Sequence, residues 1–585
     1  MYQGVLRISW GAISLLLIPW PALAASSLSA NSLSGQIADS KALWHPTYLS
    51  QVDPGQDRFP PASQPLEPLS PEEEALPQPQ TAPEPQAAPG SPDDQQCRAS
   101  KVQVEGSTVF SDEELAQVIS PFESRSCLTL VDLREATNAI TQLYLNAGYI
   151  TSRAVLIEPV SPVDGAVSLQ VIEGTLQEVR VEGTERLADY IRSRVELEEN
   201  RPVNQAQLED RLRLLRSNPL FQTVEASLRA GTEEAASILI VRVAEATPFT
   251  ANVSIDTLSP RSVGEVRAGA LLQYRNLAGW GDTLSAAAYR STTGGSQVYE
   301  LSYQVPLNPM EGTLLLRLAP NNFRVTDPNE LAFQLGVSGT ASVYEAVFRQ
   351  PLIRTTREEL ALSLGFRHRN GSTLQGGFVL PPTITSVLSF GQDYLSRDLS
   401  GAWALRSQFR LGTSLLGATT APEPLADGQF FSWLGQVQRV QVLNPDQLLI
   451  FQAEVQFSPD DLLGSEQFFV GGAQSVRGYD QNARFGDNGL RLAVEHRSTL
   501  ARRESGEPWL QVSPFIDLGY VWFNSSTFPT FNQNFLLGTG AGILLTPLPN
   551  LETRLDFGIP IVGLSERAGN GSSGLRVYWS INYRI

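Results

Sequence analysis

Along the 585-residue chain, hydrophobic and polar positions follow two different rhythms, and one segment follows neither. From Thr250 to the C-terminus the rhythm has period two. Tyr299, Leu301, Tyr303 and Val305 alternate with Glu300, Ser302 and Gln304. Leu360, Leu362, Leu364 and Phe366 alternate with Ala361, Ser363, Gly365 and Arg367, and Leu449, Phe451, Ala453, Val455 and Phe457 with Gln452, Glu454 and Gln456. Such alternation predicts strands with one apolar and one polar face. Repeated over many segments, it predicts a membrane all-β barrel with a wet lumen. A soluble sandwich has the same period locally, but segment length and aromatics placed for two interfaces favour the barrel. Turn signals recur at Val305-Pro306-Leu307, Gln350-Pro351-Leu352, Leu443-Asn444-Pro445 and Pro547-Leu548-Pro549. The region 250–585 holds 585 − 249 = 336 residues. At about 42 residues per hairpin that predicts about sixteen antiparallel strands. The last strand is the plainest: Leu575, Val577, Trp579, Ile581, Tyr583 and Ile585 face one way, Arg576, Tyr578, Ser580, Asn582 and Arg584 the other.

Residues 97–249 mix periods 2 and 3.6, and they do so twice. Val102-Gln103-Val104-Glu105-Gly106-Ser107 recurs as Val179-Arg180-Val181-Glu182-Gly183-Thr184, each a strand ending in a Gly turn. Helical stripes follow, with Leu133, Ala136, Ile140, Leu143 and Tyr144 on one face in the first copy and Leu208, Leu212 and Leu215 in the second. Two more strands close each copy, at 154–158 and 166–173 and then at 223–229 and 237–244. Strand, helix, helix, strand, strand is a compact α+β unit. The expected modules are 97–173 and 174–249.

The N-terminus changes the picture again. Residues 1–24 read as a secretory signal, with Arg7, an apolar run from Ile8 to Trp20 and a small-residue cleavage site at Ala22-Leu23-Ala24. Residues 25–96 are rich first in Ser and Ala and then in Pro, as in Phe59-Pro60-Pro61 and Pro83-Glu84-Pro85. That composition predicts an extended linker. The net charge is −18, and only Lys41 and Lys101 are lysines, which argues against nucleic acid as a partner. The two cysteines, Cys97 and Cys127, are expected to form a disulfide in an exported chain; two free thiols are the alternative. Three scattered histidines offer no metal spacing, and no Gly-x-Ser-x-Gly or Ser/His/Asp set points to an enzyme. No cofactor and no metal are expected.

One stretch stands apart: Phe468-Phe469-Val470-Gly471-Gly472-Ala473-Gln474-Ser475-Val476-Arg477-Gly478-Tyr479. Its glycines can take φ > 0 and let backbone approach backbone. An ordinary Gly-rich hairpin turn is the plain alternative. No Lys-Ser/Thr follows to make a phosphate loop. Phe-x-x-Gly-Gly-x-x-Ser-Val-Arg-Gly-Tyr resembles the sixth-loop motif of the two-partner secretion transporters, the TpsB group of ShlB/FhaC/HecB type. These are POTRA-bearing outer-membrane barrels related to outer-membrane protein insertases. The two small modules resemble POTRA domains, through Gly106-Ser107-Thr108-Val109-Phe110-Ser111 and Tyr144-Leu145-Asn146-Ala147-Gly148-Tyr149-Ile150.

The resemblance implies a barrel with two periplasmic POTRA domains and an inward-folded loop at 468–482. Gly471, Gly472, Val476, Arg477, Gly478 and Tyr479 would form the pore loop. Phe515-Ile516-Asp517-Leu518-Gly519 resembles the family's barrel-strand motif Phe-x-Asp-x-Gly. Parity turns Asp517 to the lumen, and the family pattern makes it the partner of Arg477. Glu495, flanked by Arg491 and Arg497, is a weaker alternative partner. Either residue of the pair could instead be merely solvated. The family usually ends in an aromatic residue, whereas this chain ends in Ile585. The implied function is export of a large unfolded haemolysin- or adhesin-like partner with an N-terminal secretion domain. The implied surroundings are outer-membrane lipid and, during biogenesis, the barrel assembly machinery. An outer-membrane protein insertase of the same superfamily is the alternative.

Overall fold

The computed structural model describes residues 97–125, 127–157, 166–196, 202–233, 235–422, 425–525, 533–564 and 574–585. The signal at 1–24 and the linker at 25–96 lie outside these residues. Two α+β modules precede a barrel, and each module repeats one topology. In the first, Lys101–Glu105 runs parallel to Ala166–Ile172, which pairs antiparallel with Arg153–Leu156. In the second, Thr175–Glu182 runs parallel to Ala236–Glu245, which pairs antiparallel with Phe221–Ala230. The helices Asp112–Glu123 and Leu130–Asn146 cover the first sheet, and Ala188–Val195 and Gln205–Arg216 cover the second.

The residues spaced for a helical stripe make the cores. Leu133, Ala136, Ile140 and Tyr144 are buried against Val167, Leu169 and Val171. In the second module Leu215 is buried with Val179, Ile191, Leu239 and Val241, and Leu208 and Leu212 pack against them. Both helices of the first module open on full capping boxes, Ser111 with Glu114 and Thr129 with Asp132, which satisfy donors that the first turn leaves unpaired. Cys97 is bonded to Cys127, tying the chain before the first strand to the loop between the two helices.

Sixteen antiparallel strands, from Phe249–Asp256 to Arg576–Arg584, close a barrel; the two-residue strand Phe378–Val379 only extends one hairpin. The last strand meets the first through five residue pairs, from Ser580↔Asp256 to Arg584↔Asn252. Parity sorts the faces. Tyr299, Leu301, Leu364, Ile516, Val577, Ile581, Tyr583 and Ile585 are exposed on the outside, whereas Gln452, Glu454, Gln456 and Asp517 are buried within. Leu575 is also exposed, and Trp579 is half-buried in the same row. An apolar outside with a polar inside is the surface that lipid requires. Among the described residues no helix is long and apolar enough to cross a membrane.

One turn signal falls elsewhere than expected. Pro351 lies inside the strand Ser338–Arg354, at a register shift between Pro351 and Ile353, and the chain turns only after Arg354. Proline has no N–H to give the ladder, and a bulge tolerates that loss as well as a turn does.

The second module sits on the turns at the barrel end where the chain enters. Arg194 Nε meets Glu311 Oε1 at 2.5 Å, and the Tyr190 hydroxyl donates to the same carboxylate. Arg186 Nη2 donates to the carbonyls of Asn276 and Leu277, both at 3.1 Å, and Asp210 accepts from the backbone and hydroxyl of Thr356.

Candidate functional site: a loop folded into the barrel

The connection between strands Gln447–Phe457 and Asn488–Arg502 leaves the end of the barrel opposite the modules and turns inward. A short ladder, Phe468–Val470 against Arg484–Gly486, forms its stalk. Gly471 and Gly472 take φ of +111° and +96° at the head of the stalk, a conformation that suits glycine. The turn then closes on itself, with Gly472 N donating to Val476 O and Ser475 N to Gly472 O. Val476 and Tyr479 are wholly buried, packed with Val470, Val521 and Leu536 of stalk and wall.

Arg477 is the centre of the site. Its Nε meets Asp517 Oδ2 at 2.7 Å and its Nη2 meets Oδ1 at 2.9 Å, a two-pronged grip suited to a planar guanidinium. Its backbone N–H donates to the same carboxylate at 3.0 Å. Its Nη1 donates to Glu495 Oε2 at 2.9 Å, and Asp556 Oδ1 stands 3.6 Å away. The guanidinium carbon lies 3.3 Å from the centroid of the Phe515 ring. Asp517 and Glu495, considered as alternative partners in the sequence, thus hold Arg477 together. Arg497 binds the other oxygen of Glu495, Oε1, Arg554 shares Oε2 with Arg477, and Arg554 also grips Asp556. Arg491 faces Glu454 instead, at 3.6 Å. Arg477, Arg497 and Arg554 therefore oppose Glu495, Asp517 and Asp556, three cations and three anions. Taking the Arg477 guanidinium out of water is costly, and the three carboxylates of Asp517, Glu495 and Asp556 offset that cost.

The rest of the tip is held by backbone. Gly478 N donates to the Tyr578 hydroxyl at 2.9 Å, and that hydroxyl donates to Tyr479 O at 2.6 Å. The Tyr479 hydroxyl lies 2.9 Å from Leu537 O and 2.7 Å from Val562 O. The wall is bare where the tip lies. A Cβ on Gly538 would stand 1.8 Å from Arg477 O, and one on Gly558 would stand 2.5 Å from Gly478 N. Neither position tolerates a side chain while the tip is docked.

Arg554, Asp556, Gly538 and Gly558 went unread in the sequence, and Tyr578 was placed only on the inward face of the last strand. A signal existed for the glycines, because glycine inside a strand marks a close backbone approach. None existed for the others, whose role depends on which strands the loop reaches. The last-strand residues Leu575, Val577, Trp579, Ile581, Tyr583 and Ile585 take no part in the site; that strand contributes through its other face, at Tyr578 and Arg576. Among the described residues no group of three or more His, Cys, Asp or Glu could hold a metal ion.

The profile of the haemolysin secretion/activation protein family ShlB/FhaC/HecB matches residues 235–545. That of the ShlB-type POTRA domain matches residues 98–174. The chain is 25% identical over 493 residues to the outer membrane transporter CdiB of Escherichia coli, covering 82% of this chain and 81% of that protein. It is 24% identical over 482 residues to the heme/hemopexin transporter protein HuxB of Haemophilus influenzae, covering 77% and 80%. The solved structure of CdiB from Escherichia coli superposes with a TM-score of 0.68 at 23% identity, covering 86% of this chain and 93% of that one, a likeness of fold.

Proposed function

The chain belongs to the haemolysin secretion/activation protein family ShlB/FhaC/HecB, outer-membrane transporters rather than enzymes, and we propose that it exports a large unfolded haemolysin- or adhesin-like protein. The observation that carries this reading is the lumen. One of the barrel's own loops lies inside it, its tip held by an ion-pair cluster as well as by apolar packing, an arrangement suited to a passage that is closed and reopened. A passive porin has no need of such a loop, and none of two α+β modules at the barrel mouth.

The modules supply capture. Thr175–Glu182 is an edge strand, and a cavity of about 80 Å³ lies between it and the helix Gln205–Arg216, lined by Leu176, Val179, Val195 and Leu208 with Arg211 beside them. An extended segment of the partner's N-terminal secretion domain adds there as a further strand, through main-chain bonds that are largely indifferent to its sequence. The partner then passes the tip formed by Gly471, Gly472, Val476, Arg477, Gly478 and Tyr479. Arg477 and its wall partner Asp517 set whether that tip is docked. The apolar row of the last strand, from Leu575 to Ile585, serves insertion by the barrel assembly machinery and then faces lipid.

Deletion of residues 98–245 tests the reading. The expected result is a heat-modifiable, membrane-inserted barrel and no partner in the culture medium. Continued secretion overturns it. Depletion of other barrel proteins from the membrane in that strain points to the insertase alternative.

A further inference from the structure

The Arg477 tip is not the only place where the loop is fixed. Its first limb, residues 458–467, lies against another part of the wall. Leu462 packs with Val387 and Phe430. Glu466, 2% exposed, accepts from Arg367 Nη2 at 2.7 Å and from Thr385 Oγ1 at 3.0 Å. Its own carbonyl accepts from Gln456 Nε2 at 3.0 Å. Arg369, two residues along the same inward face, adds positive potential beside it.

Counting the barrel strands from Phe249–Asp256, Arg367 is on the seventh and Thr385 on the eighth. Arg554 and Asp556 are on the fifteenth, and Arg576, which pairs with Asp480 of the loop, is on the sixteenth. Glu495 and Asp517, which hold Arg477, are on the twelfth and thirteenth, so the tip spans strands twelve to sixteen and the limb's attachment at Arg367 and Thr385 stands at least four strands away around the ring. The loop is a strap between two parts of the wall, and a polypeptide moving down the lumen has to displace one end of it.

The two ends are unequal. At the tip, Arg477 meets three carboxylates and its backbone lies against a wall of glycine. At the first limb, Glu466 meets one guanidinium whose side chain is 22% exposed, with the hydroxyls of Thr385 and Ser465 beside it, and the limb's other bonds are to uncharged donors, such as Phe431 N to Asp460 and Asn524 Nδ2 to the Asp460 carbonyl. The limb is the end that yields first.

We propose that Arg367 and Glu466 form a latch, and that the passage opens when residues 458–467 swing off the wall at Arg367 and Thr385 while the tip stays docked at Arg477. The proposal rests on the export reading for its purpose, although not for its test. Arg367 and Glu466 are positioning residues, which act through the loop and touch no substrate.

The test uses the full chain in planar bilayers, with heat-modifiability as the control for folding. Glu466→Gln keeps the shape and the bond to Thr385 but removes the charge; Arg367→Gln removes the other half. Each is expected to raise the open fraction at least about tenfold, as loss of one partner of a largely buried pair does. Conductance like that of the unmodified protein in both variants overturns the latch. The complementary variant, Thr385→Cys with Glu466→Cys, is bridged by a short bis-maleimide. Bridging is expected to close the pore and stop export, and export through a bridged limb also overturns the proposal. If Glu466→Gln opens the pore while cells export nothing, the latch stands and the export reading falls.

Discussion

The chain pins itself to its barrel with the same device in two places. In the lumen, Arg477 stacks 3.3 Å from the centroid of Phe515 and meets Asp517. At the barrel mouth, Arg194 stacks 3.3 Å from the centroid of Tyr190 and meets Glu311. The surroundings differ. The side chains of Arg477 and Asp517 are 6% and 0% exposed, and two further carboxylates and two further guanidiniums complete the cluster. Those of Arg194 and Glu311 are 12% and 15% exposed, with one carboxylate and a phenol. Water reaches one pin and hardly the other. The buried pin fixes a geometry and fails as a unit. The rim pin tolerates loss and answers to the solvent.

The largest effect is expected at the buried pin. Arg477→Ala leaves Asp517 and Glu495 buried without their shared cation, at a cost of about 3–5 kcal/mol to loop docking. Secretion should fail while the barrel still assembles, and protease should cut the loop from outside. Asp517→Ala should cost less, because Glu495 and Asp556 still face the guanidinium. For the same reason the exchange Arg477→Asp with Asp517→Arg should not rescue, since the new Asp would face both acids. Rescue by that exchange would show an isolated pair and erase the contrast with the rim.

Next comes the close approach that each pin makes to a glycine. Gly538→Ala puts a methyl 1.8 Å from the carbonyl of Arg477, which cannot yield without the tip leaving the wall. Gly281→Ala at the rim meets the edge of the Tyr190 ring at 2.5 Å, a side chain that can shift. At φ +77° it costs about 1 kcal/mol in backbone strain. Loop protection measured by proteolysis should be lost in the first variant and kept in the second. Equal loss in both would remove the distinction.

A smaller effect separates the pins by ionic strength. Raising salt from about 0.1 M to 1 M shortens the screening length from about 10 Å to about 3 Å. Spin labels on the second module should then report a looser docking, and labels on the loop tip no change. Arg194→Ala should mimic the salt effect at about 1 kcal/mol.

The smallest effect is alkaline. Burial, then the charge of Glu311, pushes the Tyr190 phenol above its ordinary value. A raised pKa contributes stability that is whole below the unfolded value and is lost as pH rises through the folded one. Docking of the second module should therefore weaken only above about pH 10, and Tyr190→Phe should abolish that dependence. Loosening of the rim near neutral pH in the unmodified protein would contradict it.

What could be read in advance followed the range of the physics. Period two is a property of consecutive residues, so the inward turn of Asp517 and the outward row from Leu575 to Ile585 need no knowledge of the fold. The repeat of Val-x-Val-Glu-Gly exposed the two modules because each buries its own core. Closure is different. Arg554 and Asp556 reach Glu495 and Arg477 only after strands more than fifty residues apart have joined one ring, and no local pattern carries that. Nor does any pattern show Arg194 choosing Glu311, which sits at φ +61° in a turn that reads as ordinary. Pro351 shows the converse: a punctuation residue was read by its commonest use, and the chain used its other one, a bulge.

The bond between Cys97 and Cys127 also sets an order of events. Beside it Arg98 and Leu128 donate to the carbonyls of Leu128 and Ala99, so the same two segments are joined once by main chain and once by sulfur. The cytoplasm keeps thiols reduced, and only an oxidising compartment completes the second joint. Without that second joint the first module is a looser body than the one the structure shows. Geography, rather than sequence, decides when it becomes rigid: the same residues make a pliable module in one compartment and a fastened one in another.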